Sequence, residues 1–278
     1  MRSRHAQVAL FTICFVFLVI LTLPLWISIF IFRPERLSNS DPHAWRLPQA
    51  REVWIASGSR RLSAWWLRAT KPDGATVLLI HGRSSNISTR AYITEQLANA
   101  GFGVLSFDFS GYGASTGRPS EANLLEDSEA AYAWLIGNGV RPNRVVVLGQ
   151  SLGNASAAKV AADHPVAGLV LVSPFTSLPG AGRDRFGWLP IDWLPWVVNR
   201  YEVASFVAKL DIPVVLVASR SDGLVPMRNT NRLASIVKHP VWVMDDRFTH
   251  DGLLTGGIAS GDLLRAMARF QLKPASAK

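Results

Sequence analysis

The 278-residue sequence predicts an α/β fold: a mostly parallel, twisted sheet with helices on both faces. Three observations predict it. Short unbroken apolar runs such as Thr76–Ile80 and Val145–Leu148 are the pattern of strands buried on both sides, not the alternation of a sheet with one wet face. These runs alternate along the chain with stretches of helical length and composition, as βαβ units require. The run ending at Leu148 leads straight into Gly149-Gln150-Ser151-Leu152-Gly153, a strand, a tight turn bearing a serine, then a helix start.

The elements follow in order. Glu52–Ala56 and Leu62–Leu67 flank Ser57-Gly58-Ser59 and predict a hairpin. Thr76–Ile80 predicts a buried strand, and Arg90–Ala100 a helix closed by Gly101. Strand Val104–Phe107, helix Glu121–Ile136, strand Val145–Leu148 and helix Leu152–Ala162 come next. Strands Leu169–Val172, Val214–Val217 and Val241–Met244 complete the sheet, with helices near Asn229–Val237 and Gly261–Phe270. One stretch, 175–211, breaks the alternation. It carries Trp188, Trp193 and Trp196 with prolines at 179, 190 and 195, too apolar for a surface loop and too broken for one helix, so it predicts a short apolar lid.

Length suits one domain, 51–272, with a short tail at 273–278. Before it lies a short basic start, 1–7, and then 8–32, which holds no formal charge and exceeds the ~20 residues a bilayer needs. No small-x-small cleavage site follows, so the expectation is an uncleaved single-pass membrane anchor, then a proline-broken linker at 33–50. A basic start before the apolar run favours an extracytoplasmic domain, with the bilayer as a partner. The net charge of +9 is scattered, never more than two basic residues adjacent, and carries no nucleic-acid motif. The single cysteine, Cys14, excludes an intrachain disulfide and a cysteine-based metal site.

A serine hydroxyl is a poor nucleophile until a base takes its proton, and the base needs a carboxylate to fix its tautomer. In a strand–turn–helix serine site those partners follow as acid, then histidine. His5, His43 and His81 precede Ser151, and His164 and His239 sit before prolines at strand entries, which leaves His250 in the loop after Val241–Met244. Catalytic groups belong at the carboxyl ends of parallel strands, which selects Asp222 after Val214–Val217; Asp245 and Asp246 remain alternatives. The oxyanion of a tetrahedral intermediate needs N–H donors. The expected two are the Leu152 amide and the Arg83 amide, the latter freed by a turn at Gly82, with His81 supporting that loop.

Five ordered segments carry a family resemblance: His81–Asn86, Asp108–Gly117, Gly149–Gly153, Ser221-Asp222 with Val225-Pro226, and Thr249–Asp251. Together they resemble the α/β-hydrolase-fold serine hydrolases, in the branch of membrane-anchored α/β-hydrolase-domain proteins grouped with serine aminopeptidases and lysophospholipases. Ser110 and Arg83 stand where that branch favours arginine and asparagine. The resemblance implies an α/β-hydrolase fold and hydrolysis of acyl esters or thioesters, lipid-like substrates favoured by the lid tryptophans, with no cofactor and no metal. A peptidase of the same fold and a catalytically idle binding module are the alternatives.

Overall fold

The computed structural model describes residues 2–36, 40–185, 187, 200–254 and 261–272. The elements in chain order are α1 (Arg2–Ile31), β1 (Arg33–Pro34), β2 (Arg51–Ser57), β3 (Arg60–Leu67), β4 (Thr76–Ile80), β5 (Ser84–Ser85) and α2 (Ala91–Asn99). They continue with β6 (Gly103–Phe107), α3 (Glu121–Gly137), β7 (Val145–Gln150), α4 (Gly153–Asp163), β8 (Gly168–Val172), α5 (Leu178–Arg185) and α6 (Val203–Val207). The last are β9 (Val214–Ala218), α7 (Met227–Ile236), β10 (Pro240–Met244) and α8 (Asp262–Leu272).

Eight strands form one sheet in the order β2-β3-β6-β4-β7-β8-β9-β10. The hairpin β2–β3 joins antiparallel to β6, and every pairing from β6 to β10 is parallel. This is the α/β-hydrolase arrangement that the sequence predicts. Successive residues of the inner strands enter opposite cores: Leu78, Leu105, Val147 and Leu216 pack beneath α3, α4 and α6, while Val77, Val104, Val146 and Val215 pack beneath α2 and α8. Both faces are dry, which is why these strands read as unbroken apolar runs. Each such side chain, fully buried, contributes roughly 1.5–3 kcal/mol of hydrophobic stabilisation.

The topology also fixes where chemistry can sit. Strand β4 lies between β6 and β7, so the chain leaves it in one direction and later returns to its other side. At such a reversal the loops beyond the strand carboxyl ends part and leave a crevice. The loops after β4 and β7 flank that crevice, with Ile80, the last residue of β4, in register with Gly149 of β7.

Two expectations need correction or restriction. The single-pass anchor over 8–32 is not supported: among the described residues no helix is long and apolar enough to cross a membrane. The helix end is also not membrane-facing, since Ile31 and Phe32 are buried in the domain core. The extracytoplasmic placement and the bilayer partner rested on that anchor and fall with it. Of the expected lid, residues 186 and 188–199, with Trp188, Trp193 and Trp196, lie outside the described residues. Its flanks are helices: α5 is held through Asp184 to Arg232 (2.8 Å) and Asn229 (2.9 Å) on α7, and α6 buries Val203 and Val207 against the core.

Candidate active site

Ser151 directly follows β7 with φ +50°, in the left-handed region that side-chain-bearing residues enter only at a cost of about 1–3 kcal/mol. The neighbourhood holds it there. Its N–H donates to the Val172 carbonyl at 2.9 Å, and the buried Asn154 amide donates to that same carbonyl at 2.9 Å, tying the start of α4 to the end of β8. The flanking glycines are forced by contact. A Cβ on Gly149 would lie 2.7 Å from Ala157 Cβ and from the Gly153 carbonyl, and one on Gly153 would lie 2.4 Å from the His81 carbonyl. Sequence reasoning missed Asn154; a polar residue so close behind the serine was the available signal.

His250 lies in the turn after β10. Its Nε2 stands 2.9 Å from Ser151 Oγ and its Nδ1 2.8 Å from Asp222 Oδ2, although 99 residues of chain separate the serine from the imidazole. A carboxylate only accepts, so Nδ1 carries the proton and Nε2 is left to accept from the serine hydroxyl. Asp222 Oδ1 accepts from the Leu224 and Val225 amides at 2.9 and 2.8 Å. Burial by itself would raise this carboxyl; His250 and the two amides outweigh it and hold Asp222 below the usual carboxylate range. Asp245 and Asp246 are turned elsewhere, to Arg247 (2.7 Å) and Arg220 (2.6 Å). Of the three candidate acids, the structure brings Asp222 to the histidine. The histidines set aside in the sequence sit apart: His164 stacks on Tyr132 and meets Glu129, and His239 meets Asp211 at 3.2 Å.

The loop after β4 runs alongside the serine: a Cβ on Gly82 would stand 3.4 Å from Ser151 Cβ. Gly82 C=O and Arg83 N–H belong to one peptide plane and point in opposite directions. His81 Nδ1 donates to the Gly82 carbonyl at 2.7 Å, and so fixes the direction of the Arg83 amide. The next plane is fixed at the Arg83 carbonyl, which accepts from the Arg33 amide at 2.9 Å and the Tyr112 hydroxyl at 2.7 Å. Leu152, the other expected donor, caps α4 immediately beside Ser151.

Beneath this loop lie buried ionisable groups. Burial above all, then the positive Arg90, holds the His81 imidazole down to about 3, so it keeps a single proton and its tautomer is fixed at neutral pH. His81 Nε2 accepts from the Phe109 amide at 3.4 Å and stands 3.6 Å from Asp108 Oδ1, which accepts from the Ile87 amide at 2.8 Å. Burial pushes Asp108 up to about 8, against the opposing pull of the Ile87 amide and Arg90. Among the described residues no group of three or more His, Cys, Asp or Glu side chains is arranged to hold a metal ion.

Residues 71–205 match the family model described as serine aminopeptidase, S33. The chain is 38% identical over 197 residues to an uncharacterized protein of Mycobacterium tuberculosis, covering 70% of this chain and 69% of that one. It is 28% identical over 192 residues to alpha/beta hydrolase domain-containing protein 17B of Homo sapiens, covering 67% and 65%. Among solved structures, a Pyrococcus furiosus esterase superposes with a TM-score of 0.67 at 21% identity, over 86% of this chain and 96% of that one. Est1E of Butyrivibrio proteoclasticus, solved with ferulic acid bound, gives 0.63 at 21% identity over 78% and 99%. At these identities the structures speak for the fold alone.

Proposed function

The chain belongs to the α/β-hydrolase family, and on that premise we propose that it hydrolyses carboxylic esters or thioesters through an acyl-enzyme on Ser151. One observation carries the reading: the continuous proton path from Ser151 Oγ to His250 (2.9 Å) and from His250 to Asp222 (2.8 Å). Ser151 Oγ attacks the acyl carbon as His250 Nε2 takes its proton. Asp222, held ionised, keeps the imidazole in the useful tautomer and steadies the imidazolium. The carbonyl oxygen, now an anion, accepts from the Arg83 and Leu152 amides, donors whose directions are fixed before substrate arrives. His250 then returns its proton to the departing alcohol or thiol. A water molecule repeats the sequence in reverse, His250 taking its proton, and the acid leaves with Ser151 restored.

The lipid-like, acyl-chain substrate read from the 175–211 stretch belongs to the same proposal. A graded series of p-nitrophenyl esters, run beside amino-acid p-nitroanilides, tests both points. Turnover rising with chain length and abolished by Ser151→Ala supports the reading. Cleavage of the anilides alone would move the protein to peptidase chemistry, and no turnover of either class would leave a binding module.

A further inference from the structure

We propose that the backbone directly after α1, Arg33–Glu35, is a clamp that positions the oxyanion amide of Arg83. This rests on the Arg83 amide having that role. Strand β1 pairs in parallel with β5, Arg33 opposite Ser84 and Pro34 opposite Ser85. The Arg33 amide donates to the Arg83 carbonyl at 2.9 Å and the Glu35 amide to the Ser85 carbonyl at 3.4 Å. In return the Glu35 carbonyl accepts from the Gly113 amide at 2.9 Å and from the Asn86 side chain at 3.3 Å. The strand is therefore held on both sides, and it is seated from behind by Ile31 and Phe32, which are buried in the core.

What the strand holds is strained. Ser85 has φ +70°, a conformation that persists in a non-glycine residue only where its surroundings impose it. Between Gly82 and Asn86 the loop is anchored by three carbonyls. His81 serves the first, Tyr112 and Arg33 share the second, and Glu35 serves the third. Two of those three anchors come from a segment some fifty residues upstream. Without them the peptide planes after Arg83 turn more freely, and the Arg83 amide, whose value lies in being aimed in advance, loses direction. One residue, Phe32, separates this clamp from α1, so a displacement of that helix is delivered to the loop that holds the anion.

The test removes the amide hydrogen with Arg33→Pro and separates it from the loss of the side chain with Arg33→Ala. Arg33→Pro deletes the amide hydrogen that the Arg83 carbonyl accepts. Full-length variant and wild type are compared for kcat and KM on a p-nitrophenyl ester, and for inhibition by a trifluoromethyl ketone, whose hemiketal anion occupies the same site. The clamp predicts a kcat lower by about 10-fold or more, a parallel weakening of the ketone and little change in KM, in line with the ~10²–10³ cost of losing an oxyanion donor outright. Glu35→Pro, which deletes the weaker 3.4 Å bond, shifts both in the same direction by less, and serves if Arg33→Pro does not fold. Wild-type kcat and ketone affinity in the proline variants overturns the proposal, as does an equal loss in Arg33→Ala, which keeps the amide. Residual turnover by Ser151→Ala would instead overturn the acyl-enzyme reading beneath it, so the two failures are distinct.

Discussion

Gly153→Ala adds one methyl group where α4 leaves the serine turn, and two effects of opposite sign compete. Alanine is the better helix former by about 1 kcal/mol, so on propensity alone the change stabilises. The added Cβ, however, would stand 2.4 Å from the His81 carbonyl oxygen and 2.6 Å from that of Ile80. Both are backbone atoms of β4 and its loop and cannot rotate away. Restoring ordinary contact opens the strand–helix junction by about 1 Å, an overpacking that typically costs 1–3 kcal/mol. The clash wins, leaving a net loss of up to about 2 kcal/mol and a melting temperature lower by roughly 2–8 °C. The same shift carries the Leu152 amide and the His81–Arg83 loop away from each other, and a 1 Å misplacement of catalytic groups lowers kcat by about 10²-fold. Calorimetry and ester kinetics read the two losses. Gly137→Ala is the matched comparison: nothing stands within 4 Å of its added Cβ, so propensity acts alone and stability holds or rises by up to about 1 kcal/mol. A Gly153→Ala variant with wild-type kcat and melting temperature would refute the claim that close packing of β4 on α4 sets the site.

The remaining predictions are independent of that junction. Asp222→Asn reverses the tautomer preference of His250 and drops kcat by about 10⁴-fold, the loss the same change causes in the trypsin-type triad; near-normal turnover would transfer the role to another carboxylate. Because Asp222 is held below its unfolded pKa, it stabilises the fold above the ordinary carboxylate range, and that contribution disappears as pH falls through its folded value. Acid melts of wild type should therefore be steeper than those of Asp222→Asn. Asp108 has the opposite sign: its pKa is raised to about 8, so the folded state holds the extra proton and stability falls as pH climbs from about 4 towards 8. Asp108→Asn should flatten the melting temperature over that window, and an unchanged slope would assign it elsewhere. His81→Ala releases the Gly82 carbonyl and should lower kcat by about 10²-fold with little change in KM; a pure stability loss would deny it any part in aiming the amide.

What was legible in the sequence was whatever depends on near neighbours. The strands are short, dry on both faces and β-branched, so Thr76–Ile80 and Val145–Leu148 declared themselves. The serine turn was readable because glycine alone fits at 149 and 153, for the steric reason the contacts now give. Proposing Asp222 over Asp245 and Asp246 needed the strand-end rule, and the structure shows the latter two held by arginines. The pairing of Arg33 with the loop after β4 was not legible, because it is made by backbone groups that every residue carries. Tyr112 was hidden for a related reason, since its hydroxyl reaches Arg83 only after the fold closes across 29 residues. The apolar N-terminal run misled in the other direction: its composition alone argued for a bilayer, whereas its last residues, Ile31 and Phe32, are spent on the domain core.

The most direct measurement is the mass of the full-length protein after incubation with a fluorophosphonate. A nucleophile activated by His250 and Asp222 takes up one phosphonyl group, which peptide mapping finds on Ser151, and Ser151→Ala takes up none. A probe that leaves the wild type unmodified, or that labels the alanine variant equally, would contradict the account at its root.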